Sequence, residues 1–546
     1  MNINAIPNNM EKYMAFMLGN RLTFIDSFQF MSSSLDKLVS NLPKEALIYT
    51  SQKFKGKELD LMSQKGVYPY DFMDSFDKFD EKLPSKKNFY SILNDEDITD
   101  NQYKHAQNVW NTFNLKNMGE YHDLYLKSDI LLLADVFENF RKTCLQYYKL
   151  DPCHYFTSPG LSWDAMLKMT DIKLEVMTDI DMFQFIEKGM RGGVSYICNR
   201  YGKANNKYMK TYDEKAPSKY IMYLDANNLY GWAMSQYLPT GGFKWMTEKQ
   251  KDNLDLAKYK EDSKKGLILE VDLAYPKELH DLHNDYPLAP EKIKVNKDML
   301  SNYCQEIANK FNVSTGLVHK LIPTLNNKEK YVLHYRNLQL YTDLGLKITK
   351  VHRILEFNQS AWLKQYIDFN TEKRTNAKNA FEKDFFKLMN NSVFDTDSLT
   401  YEIETEDVYK DFWNDKDKFD NSDYPQDSQY FNTTNKKVIG KFKDEAAGIP
   451  ITEFVGLRSK MYSYMKDNDK GGKTAKGIKK NIIKKNITHN VLFNNEQMHH
   501  TMKTIRSNLH QLGSYELNKV SLSCFDDKRY IHNNSVTSYA YGHYKI

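Results

Sequence analysis

Two segments of this sequence place aspartates where they could bind divalent metal ions. The apolar run Tyr220–Leu224 leads directly into Asp225. Asp395 and Asp397 open a second segment, in which apolar and polar residues alternate. Phosphoryl transfer by two metal ions needs carboxylates that hold the ions about 3.5–4 Å apart, and strand ends supply carboxylates rigidly. Each motif alone is weak, because an isolated DxD and a strand ending in aspartate are both common.

A segment rich in lysine and asparagine could bind the phosphates of a nucleotide. Lys383, Lys387 and Asn391 are spaced four residues apart, so on a helix they share one face. Ser392 follows directly. On this motif alone, an ordinary solvated helix face is the simpler interpretation.

A glycine pair could allow close approach to a nucleic-acid strand. Arg191 precedes Gly192 and Gly193, and the residues after them have the composition of a strand. Glycines lack a side chain, so another backbone can come close to them. An ordinary turn is an equally good interpretation.

A basic stretch near the C-terminus could contact phosphates. It begins with Lys460 and Tyr462 and includes Lys476 and Lys479; residues 466–485 hold eight lysines and two aspartates. Lysines bind the nucleic-acid backbone without reading its sequence. Such a run is about as often only a solvated surface.

The elements that would position these residues follow from periodicity and turn signals. We expect a hairpin over 12–30 around Gly19-Asn20, and polar loops with short helices over 52–115. Helices are predicted at 34–41, 119–148 and 371–391, and strands at 220–224, 266–273 and 399–403.

The composition is that of a globular protein of several domains. The chain has 546 residues, of which 41% are hydrophobic and 27% charged, and its net charge of +5 neither requires nor excludes nucleic acid. Its five cysteines form no CxxC pair, so we expect neither a zinc site nor a disulfide framework. This favours an intracellular location, with nucleus and cytoplasm both open. No apolar stretch approaches about 20 residues, so no membrane span is expected.

The order of these motifs resembles that of family B DNA polymerases of the protein-primed type. Such enzymes occur in some bacteriophages, adenoviruses, linear plasmids and Polinton- or Maverick-like mobile elements. The resemblance runs from the N-terminus through KLMNNSVF and from DTDS to the C-terminus. It implies that Asp225, Asp395 and Asp397 are catalytic, and that Asp225, Asp397 and the Ala226 carbonyl bind two Mg²⁺ ions, with Mn²⁺ as a possible substitute.

The resemblance also implies roles for the other motifs. Tyr230 would reject a 2′-hydroxyl on the incoming nucleotide. Lys387 would contact its triphosphate, and Asn391 and Ser392 would line the nascent base pair. Lys383 is a nucleotide-binding candidate only from its place on the same helix face. Lys460 and Tyr462 would hold the primer strand, and Arg191, Gly192 and Gly193 match the motif that links the exonuclease and polymerase halves. Lys476 and Lys479 are DNA-binding candidates from the basic stretch itself. The implied partners are template and primer DNA, deoxynucleoside triphosphates and a terminal priming protein.

The N-terminal part resembles a 3′–5′ exonuclease only in part. Ser34 and Leu35 match a motif that binds single-stranded DNA, and Tyr125 and Asp129 match the third exonuclease motif, YxxxD. The DxE motif and the second acidic motif that normally precede them are not found. A two-metal site cannot be built from one carboxylate, so we expect no proofreading.

The segment between the two polymerase motifs is unusually short. In the family, KxxxNS is followed by an aromatic residue and glycine, and several dozen residues precede DTDS. Here Phe394 is bonded directly to Asp395. We therefore expect either that the helix carrying Asn391 unwinds or that the catalytic turn shifts away from Asp225.

These features predict an α+β protein. Residues 1–165 would form a truncated, RNase-H-like exonuclease remnant, and residues 166–546 a right-hand module of palm, fingers and thumb, with a gap in the palm at 394/395. The leading hypothesis is template-directed DNA synthesis in the replication of a viral or mobile element. A catalytically impaired, DNA-binding remnant is the alternative. A stand-alone exonuclease is disfavoured by the incomplete carboxylate set.

Overall fold

The computed structural model describes residues 3–7, 13–19, 22–392, 398–494, 497–508 and 511–546. Its α-helices in chain order are α1 (Leu35–Asn41), α2 (Ile48–Lys53), α3 (Gly56–Met62), α4 (Asp100–Thr112), α5 (Met118–Tyr148), α6 (Ser158–Thr170), α7 (Ile180–Gly189), α8 (Leu229–Met234), α9 (Glu248–Asp252), α10 (His280–His283), α11 (Asn302–Lys310), α12 (Tyr335–Asp343), α13 (Lys364–Thr375), α14 (Ala380–Asn391), α15 (Val408–Asn414), α16 (Lys480–Asn486) and α17 (His489–Phe493).

The strands run from the N-terminal hairpin to the last residues of the chain. In chain order they are β1 (Ile3–Pro7), β2 (Tyr13–Leu18), β3 (Leu22–Ile25), β4 (Tyr201–Lys203), β5 (Lys219–Ala226), β6 (Leu238–Trp245), β7 (Lys265–Ala274), β8 (Glu291–Ile293), β9 (Lys320–Ile322), β10 (Lys328–His334), β11 (Lys347–Ser360), β12 (Ser398–Glu404), β13 (Phe419–Asp420), β14 (Phe442–Asp444), β15 (Ile451–Arg458), β16 (Met461–Lys466), β17 (Gly471–Ala475), β18 (Met498–Asn508), β19 (Gln511–Leu522), β20 (Tyr530–Ile531) and β21 (Ser538–Tyr539).

The chain divides into two compact units. Unit 1 consists of Met1–Ile172, Leu363–Asp395 and Thr501–Asn518, and unit 2 of Lys173–Trp362, Thr396–His500 and Lys519–Ile546. Unit 1 therefore draws in residues from three separate parts of the sequence. The division at 165/166 that the sequence suggested stays a prediction.

Unit 1 combines a small antiparallel sheet with helices. Strands β1, β2 and β3 pair in chain order, with Ala15 opposite Ile25, so the expected hairpin is confirmed. The predicted long helix is α5, which begins after the N-cap Asn117 and ends at the left-handed Lys149. In the predicted loop region, α4 is a full helix of 13 residues. Its capping box, Thr99 with Gln102, was the signal that would have revealed it.

The helical segment predicted at 371–391 is two helices. Helix α13 ends at Thr375, and α14 starts only after Asn379, whose side-chain oxygen accepts a hydrogen bond from the Glu382 amide at 2.9 Å. Asparagine competes for backbone donors in this way and so starts a new helix. Phe381, Phe385 and Met389 are buried along α14, while Lys383 and Lys387 are exposed.

Unit 2 holds two larger sheets. One has the strand order β10-β7-β11-β6, is antiparallel throughout, and packs Leu267, Leu269 and Val271 into a core with Leu333 and Ile354. The predicted strand at 266–273 is β7 in this sheet.

The second sheet of unit 2 has β5 at its centre. Its strand order is β13-β14-β5-β15-β16-β17, with β12 paired to β5 and β4 paired to β15. Tyr220 and Met222 of β5 pack into one apolar cluster, and Ile221 packs into another on the opposite face. A strand covered on both faces and paired on both edges is a rigid support for the residue at its end.

The segment after Gly193 differs from the sequence-based expectation. The residues that follow Gly193 form no strand before β4 begins at Tyr201, so the expected strand there was wrong. Among the described residues, no helix is both long enough and apolar enough to cross a membrane.

Candidate active site and nucleic-acid interface

Asp225 lies near the end of the central strand β5, opposite the first residue of β12. The two strands are antiparallel, with Ser398 opposite Asp225 and Leu399 opposite Leu224. The predicted strands at 220–224 and 399–403 are thus confirmed, and the structure pairs them directly. Asp395 and Asp397 lie outside the described residues. The last residue of the DTDS motif is nevertheless brought to the end of β5 that carries Asp225.

The other edge of β5 is paired at the same end. Lys443 of β14 lies opposite Asp225, and Phe442 lies opposite Ala226. Beyond the strand, the Asn227 amide donates to the Lys441 carbonyl at 2.9 Å, and the Asn227 carbonyl accepts from the Gly440 amide at 2.7 Å. The candidate site is therefore braced by strands on both sides of Asp225.

A tight turn connects β5 to the helix that carries Tyr230. Asn228 has a left-handed backbone conformation, with φ of 44°, and its side chain caps α8 by accepting from the Gly231 amide at 3.1 Å. Tyr230 is in the first turn of α8 and is half-buried. Asp225 and Tyr230 are thus separated by a single fixed turn.

The oxygen donors at this end of β5 suit Mg²⁺. Mg²⁺ prefers hard oxygen ligands such as carboxylates, and the half-buried Asp225 carboxylate and the Ala226 carbonyl are of that kind. Within the described part of the chain, no three His, Cys, Asp or Glu side chains form a metal-binding group. The remaining expected ligand, Asp397, lies outside that part.

In unit 1, the KxxxNS motif lies at the end of a regular helix. The Ser392 amide donates to the Leu388 carbonyl at 2.7 Å, so α14 keeps its hydrogen bonds to its last residue, Asn391. The unwinding that the short connection suggested is therefore not observed in the described residues. The alternative, a shifted catalytic turn, concerns residues 395–397, which the structure does not describe.

A buried polar network holds α14 against α13 and α5. The Tyr148 hydroxyl donates to the Asn370 side chain, whose amide donates to Asn390 at 3.0 Å. The Tyr366 hydroxyl donates to the Met389 carbonyl at 3.2 Å. Since Asn390 immediately precedes Asn391, this network fixes the end of the helix on which the predicted nucleotide-binding residues lie.

Arg191 is engaged within unit 2. Its Nη1 donates to the Val332 carbonyl at 2.6 Å and to the Gly189 carbonyl at 3.1 Å, and the guanidinium lies 3.8 Å from the centre of the Tyr331 ring. These contacts position the start of the glycine segment. At Gly192 and Gly193 a side chain would meet no atom within 4 Å, so the backbone there is open to approach.

Lys460 and Tyr462 lie on one hairpin but face different surroundings. Lys460 is exposed in the turn between β15 and β16, with φ of 60°. The Tyr462 hydroxyl lies 3.2 Å from that of Tyr223 on β5, and burial raises the pKa of Tyr462 above its ordinary value. Tyr462 is therefore coupled to the strand that carries Asp225.

Lys460 and Lys476 line a groove that we call the basic groove. The Lys476 amide donates to the Lys460 carbonyl at 3.0 Å, which joins the two segments. Five cationic side chains line the groove against two carboxylates, and these seven residues are Lys320, Arg458, Lys460, Lys476, Lys528, Asp526 and Asp527. Lys320 pairs with Asp527 at 2.6 Å. An excess of cations in a groove is the arrangement that attracts phosphates.

The sequence did not single out three of the groove's cations, Lys320, Arg458 and Lys528. Arg458 is two residues before Lys460, so the Lys460–Tyr462 motif would have included it if extended by two residues. Lys320 and Lys528 come from distant segments, and only the fold brings them there. Lys479, which the sequence did predict, precedes α16 and is half-buried.

The N-terminal motif residues have local partners in unit 1. Ser34 is the N-cap of α1 and accepts a hydrogen bond from the Lys37 amide at 3.3 Å. Ser34 is exposed and Leu35 half-buried. The capping bond explains why serine begins this helix, and it leaves the DNA-binding role a prediction.

Tyr125 and Asp129 share one face of α5, as predicted, together with a lysine that sequence reasoning missed. Lys65 donates to the Asp129 carboxylate at 2.5 Å and to the Tyr125 hydroxyl at 2.7 Å. Burial raises the pKa of Tyr125 well above its usual range, and a hydrogen bond with Tyr70 raises it further. Lys65 lies in the segment 52–115, which the sequence predicts to be polar loops with short helices. No motif in that segment distinguishes this lysine from its neighbours.

The sequence is similar to known DNA polymerases. The family described as "DNA polymerase type B, organellar and viral" matches residues 3–453. A curated relative, a "Probable DNA polymerase" of Podospora anserina, is 23% identical over 233 residues, which is 42% of this chain. The match covers 16% of that relative, so this chain spans only a small part of its length.

The fold is similar to that of solved polymerase structures. An orthorhombic crystal form of Phi29 DNA polymerase has a TM-score of 0.52 at 12% identity, over 95% of this chain and 85% of that chain. Phi29 DNA polymerase complexed with primer-template DNA and incoming nucleotide has a TM-score of 0.51 at 13% identity, with the same coverage. The mixed α/β fold expected from the sequence is confirmed. Because its family match extends over most of its length, the chain belongs to the organellar and viral family of type B DNA polymerases.

Proposed function

We propose that this chain is a DNA-directed DNA polymerase that adds deoxynucleotides to a primer by two-metal phosphoryl transfer. The observation that carries the proposal is the register of β12 against β5, with Ser398 opposite Asp225. Asp397 immediately precedes Ser398 in the sequence, and we propose it as a second acidic ligand of the same site. Two acidic motifs that are 170 residues apart in the sequence would then serve one site.

The chemistry that follows needs divalent metal ions. When bound, two Mg²⁺ ions, or Mn²⁺ in their place, would favour the deprotonated primer 3′-oxygen and neutralise charge in the transition state. Asp225, Asp397 and the Ala226 carbonyl would hold them, with Asp395 beside these ligands. The half-buried Tyr230 would lie under the sugar of the incoming nucleotide and exclude a 2′-hydroxyl.

The proposed substrates are primer–template DNA and deoxynucleoside triphosphates. The exposed face of α14 supplies Lys383 and Lys387, and Asn391 and Ser392 stay our candidates for contact with the nucleotide. Lys460 and Lys476 in the basic groove are the candidates for primer phosphates, with Lys479 next to them. Ser34, Leu35 and the Arg191–Gly193 segment stay DNA-binding candidates. A terminal protein as primer, and a viral or transposable element as the source, are further parts of the proposal.

Metal-dependent primer extension tests this function. A labelled primer–template with a single templating base should gain only the complementary deoxynucleotide, and only when Mg²⁺ or Mn²⁺ is present. Incorporation should stop when EDTA is added. A preparation that binds the same DNA but adds no nucleotide with either metal contradicts the proposed function.

The alternative is a catalytically impaired DNA-binding protein, and the short connection favours it. Only residues 392–397 join the end of α14 to the start of β12. The test compares this chain with one that carries a related polymerase's intervening segment between Phe394 and Asp395. If the short connection impairs catalysis, the longer chain extends primers much faster while both bind DNA equally. Equal extension rates contradict the impairment.

A further inference from the structure

The turn that follows Asp225 is held by a buried carboxylate from a distant segment. Asp420 on β13 is only 2% exposed. Its Oδ2 accepts a hydrogen bond from the Asn227 side-chain amide at 2.7 Å and from the Lys437 backbone amide at 2.8 Å. Its Oδ1 accepts from the Ser422 amide at 3.1 Å. Both oxygens of the buried side chain are thus occupied by donors.

Asn227 is fixed by its backbone as well as by its side chain. Its amide and carbonyl are bonded to Lys441 and Gly440, while its side chain is bonded to Asp420. Asn227 lies two residues after Asp225 and three before Tyr230. The hydrogen bonds described for Asn227 from outside the turn come from one segment, residues 420–441.

The Asp420 side chain must accept hydrogen bonds, which explains why a carboxylate is there. Burial alone would raise the pKa of Asp420, but the amide donors of Lys437, Ser422 and Asn227 reverse this and hold the pKa below its ordinary value. An asparagine at this position would have one oxygen and one NH₂ group. Whichever way that amide were turned, an NH₂ would face a donor.

We propose that Asp420 is a positioning residue that acts through Asn227 to fix Asp225 relative to Tyr230. This inference rests on the proposed polymerase function. Asp225 would hold metal ions and Tyr230 would sense the sugar, so their separation decides both the rate and the sugar selectivity. A displacement of about 1 Å in such a site can cost about a hundredfold in rate.

Asp420→Asn tests the proposal, with Asp407→Asn as its matched control. Asp407 is also buried, at 6% exposure, and also accepts hydrogen bonds from backbone amides, but it caps α15 and pairs with Lys207 and Tyr208. Asp420→Asn should lower kcat about ten- to a hundredfold, admit ribonucleotides more readily, and leave the Kd for primer–template DNA unchanged. Asp407→Asn should leave kcat and sugar selectivity unchanged.

A double variant shows whether Asp420 acts through Asn227. If it does, Asn227→Ala added to Asp420→Asn should lower kcat little further, because interactions along one path are not additive. If the loss of kcat in the double variant equals the product of the two single losses, Asp420 does not act through Asn227. Wild-type kcat and sugar selectivity in Asp420→Asn overturn the proposal.

Hydrogen exchange separates this inference from the polymerase function itself. In Asp420→Asn, amides of residues 226–234 should exchange faster than in the wild type, while those of β7 stay unchanged. If the wild type adds no nucleotide, the proposed function fails, but faster exchange still supports the anchor. Unchanged exchange at 226–234 shows that Asp420 does not hold the turn.

Discussion

Ser398 lies directly opposite Asp225 in the antiparallel pair that β12 forms with β5. Cross-strand neighbours in such a pair have Cα atoms about 4.5–5.5 Å apart. The pair thus joins two sequence motifs at one end of a strand that is buried on both faces.

Gly440→Ala should disturb the segment that is hydrogen-bonded to Asn227, two residues after Asp225. Gly440 has φ of +78°, and a Cβ there would lie 2.5 Å from Cδ1 of Trp232 in α8. Left-handed backbone alone costs a residue with a side chain about 1–2 kcal/mol, and the clash must also displace Trp232. We expect lower stability and a lower kcat, measured by denaturation and primer extension.

Gly477→Ala is the control for Gly440→Ala. Gly477 also has a left-handed φ, of +87°, but a Cβ there meets only the Lys519 Nζ, at 3.7 Å. The Gly477→Ala variant should lose as much stability from backbone strain as Gly440→Ala does, and its kcat should stay unchanged. Equal losses of kcat in the two variants would mean that strain alone, and not the contact with Trp232, matters.

The basic groove and the lysines after it should bind DNA through phosphates. Each phosphate contact contributes about 0.9 to the slope of log Kd against log salt concentration. Replacing Lys476, Lys479 and Lys480 with alanine should therefore flatten the slope by about two to three units, measured by fluorescence anisotropy at several salt concentrations.

A second triple variant controls for the loss of positive charge in general. Lys249, Lys258 and Lys297 are exposed in unit 2 and do not line the basic groove. Replacing all three with alanine should change the slope much less. If both triple variants behave alike, binding depends on net charge and the groove has no special role.

Lys65→Ala should destabilise unit 1. Its ammonium contacts Asp129 and Tyr125, and the Lys65 and Asp129 side chains are 25% and 22% exposed. Losing the partner of a mostly buried polar group typically costs about 1–3 kcal/mol, which chemical denaturation can measure. Lys86→Ala removes an ion pair with Asp100, whose side chain is 93% exposed, and should change stability little. Equal effects would show that the Lys65 contacts contribute no more than a surface pair.

The sequence predicted the elements that carry strong local signals. The apolar run before Asp225, the alternation after Asp397 and the periodicity of α5 each specified an element correctly, because burial of one or both faces leaves a regular pattern. The KxxxNS helix was also predicted, but its separation from α13 depended on a single cap at Asn379.

Contacts between distant segments could not be predicted in this way. Asp420 lies in an acidic stretch of the sequence, residues 402–428, in which no motif distinguishes it. It is nevertheless buried and hydrogen-bonded to Asn227, 193 residues earlier in the chain. Lys65 and Lys320 were equally unremarkable in sequence. Their partners are set by the fold, and single-sequence periodicity contains no information about which segments meet.

The substitution Asp225→Asn separates metal-dependent chemistry from DNA binding. It removes one charge from the proposed metal site and keeps the shape of the side chain. Asp213→Asn, an exposed change in the loop before β5, serves as the control. We predict that Mg²⁺-dependent primer extension is lost in Asp225→Asn and kept in Asp213→Asn. The wild type and both variants should bind primer–template DNA with the same Kd. Extension by Asp225→Asn at the wild-type rate would contradict the assignment of Asp225 as a catalytic metal ligand.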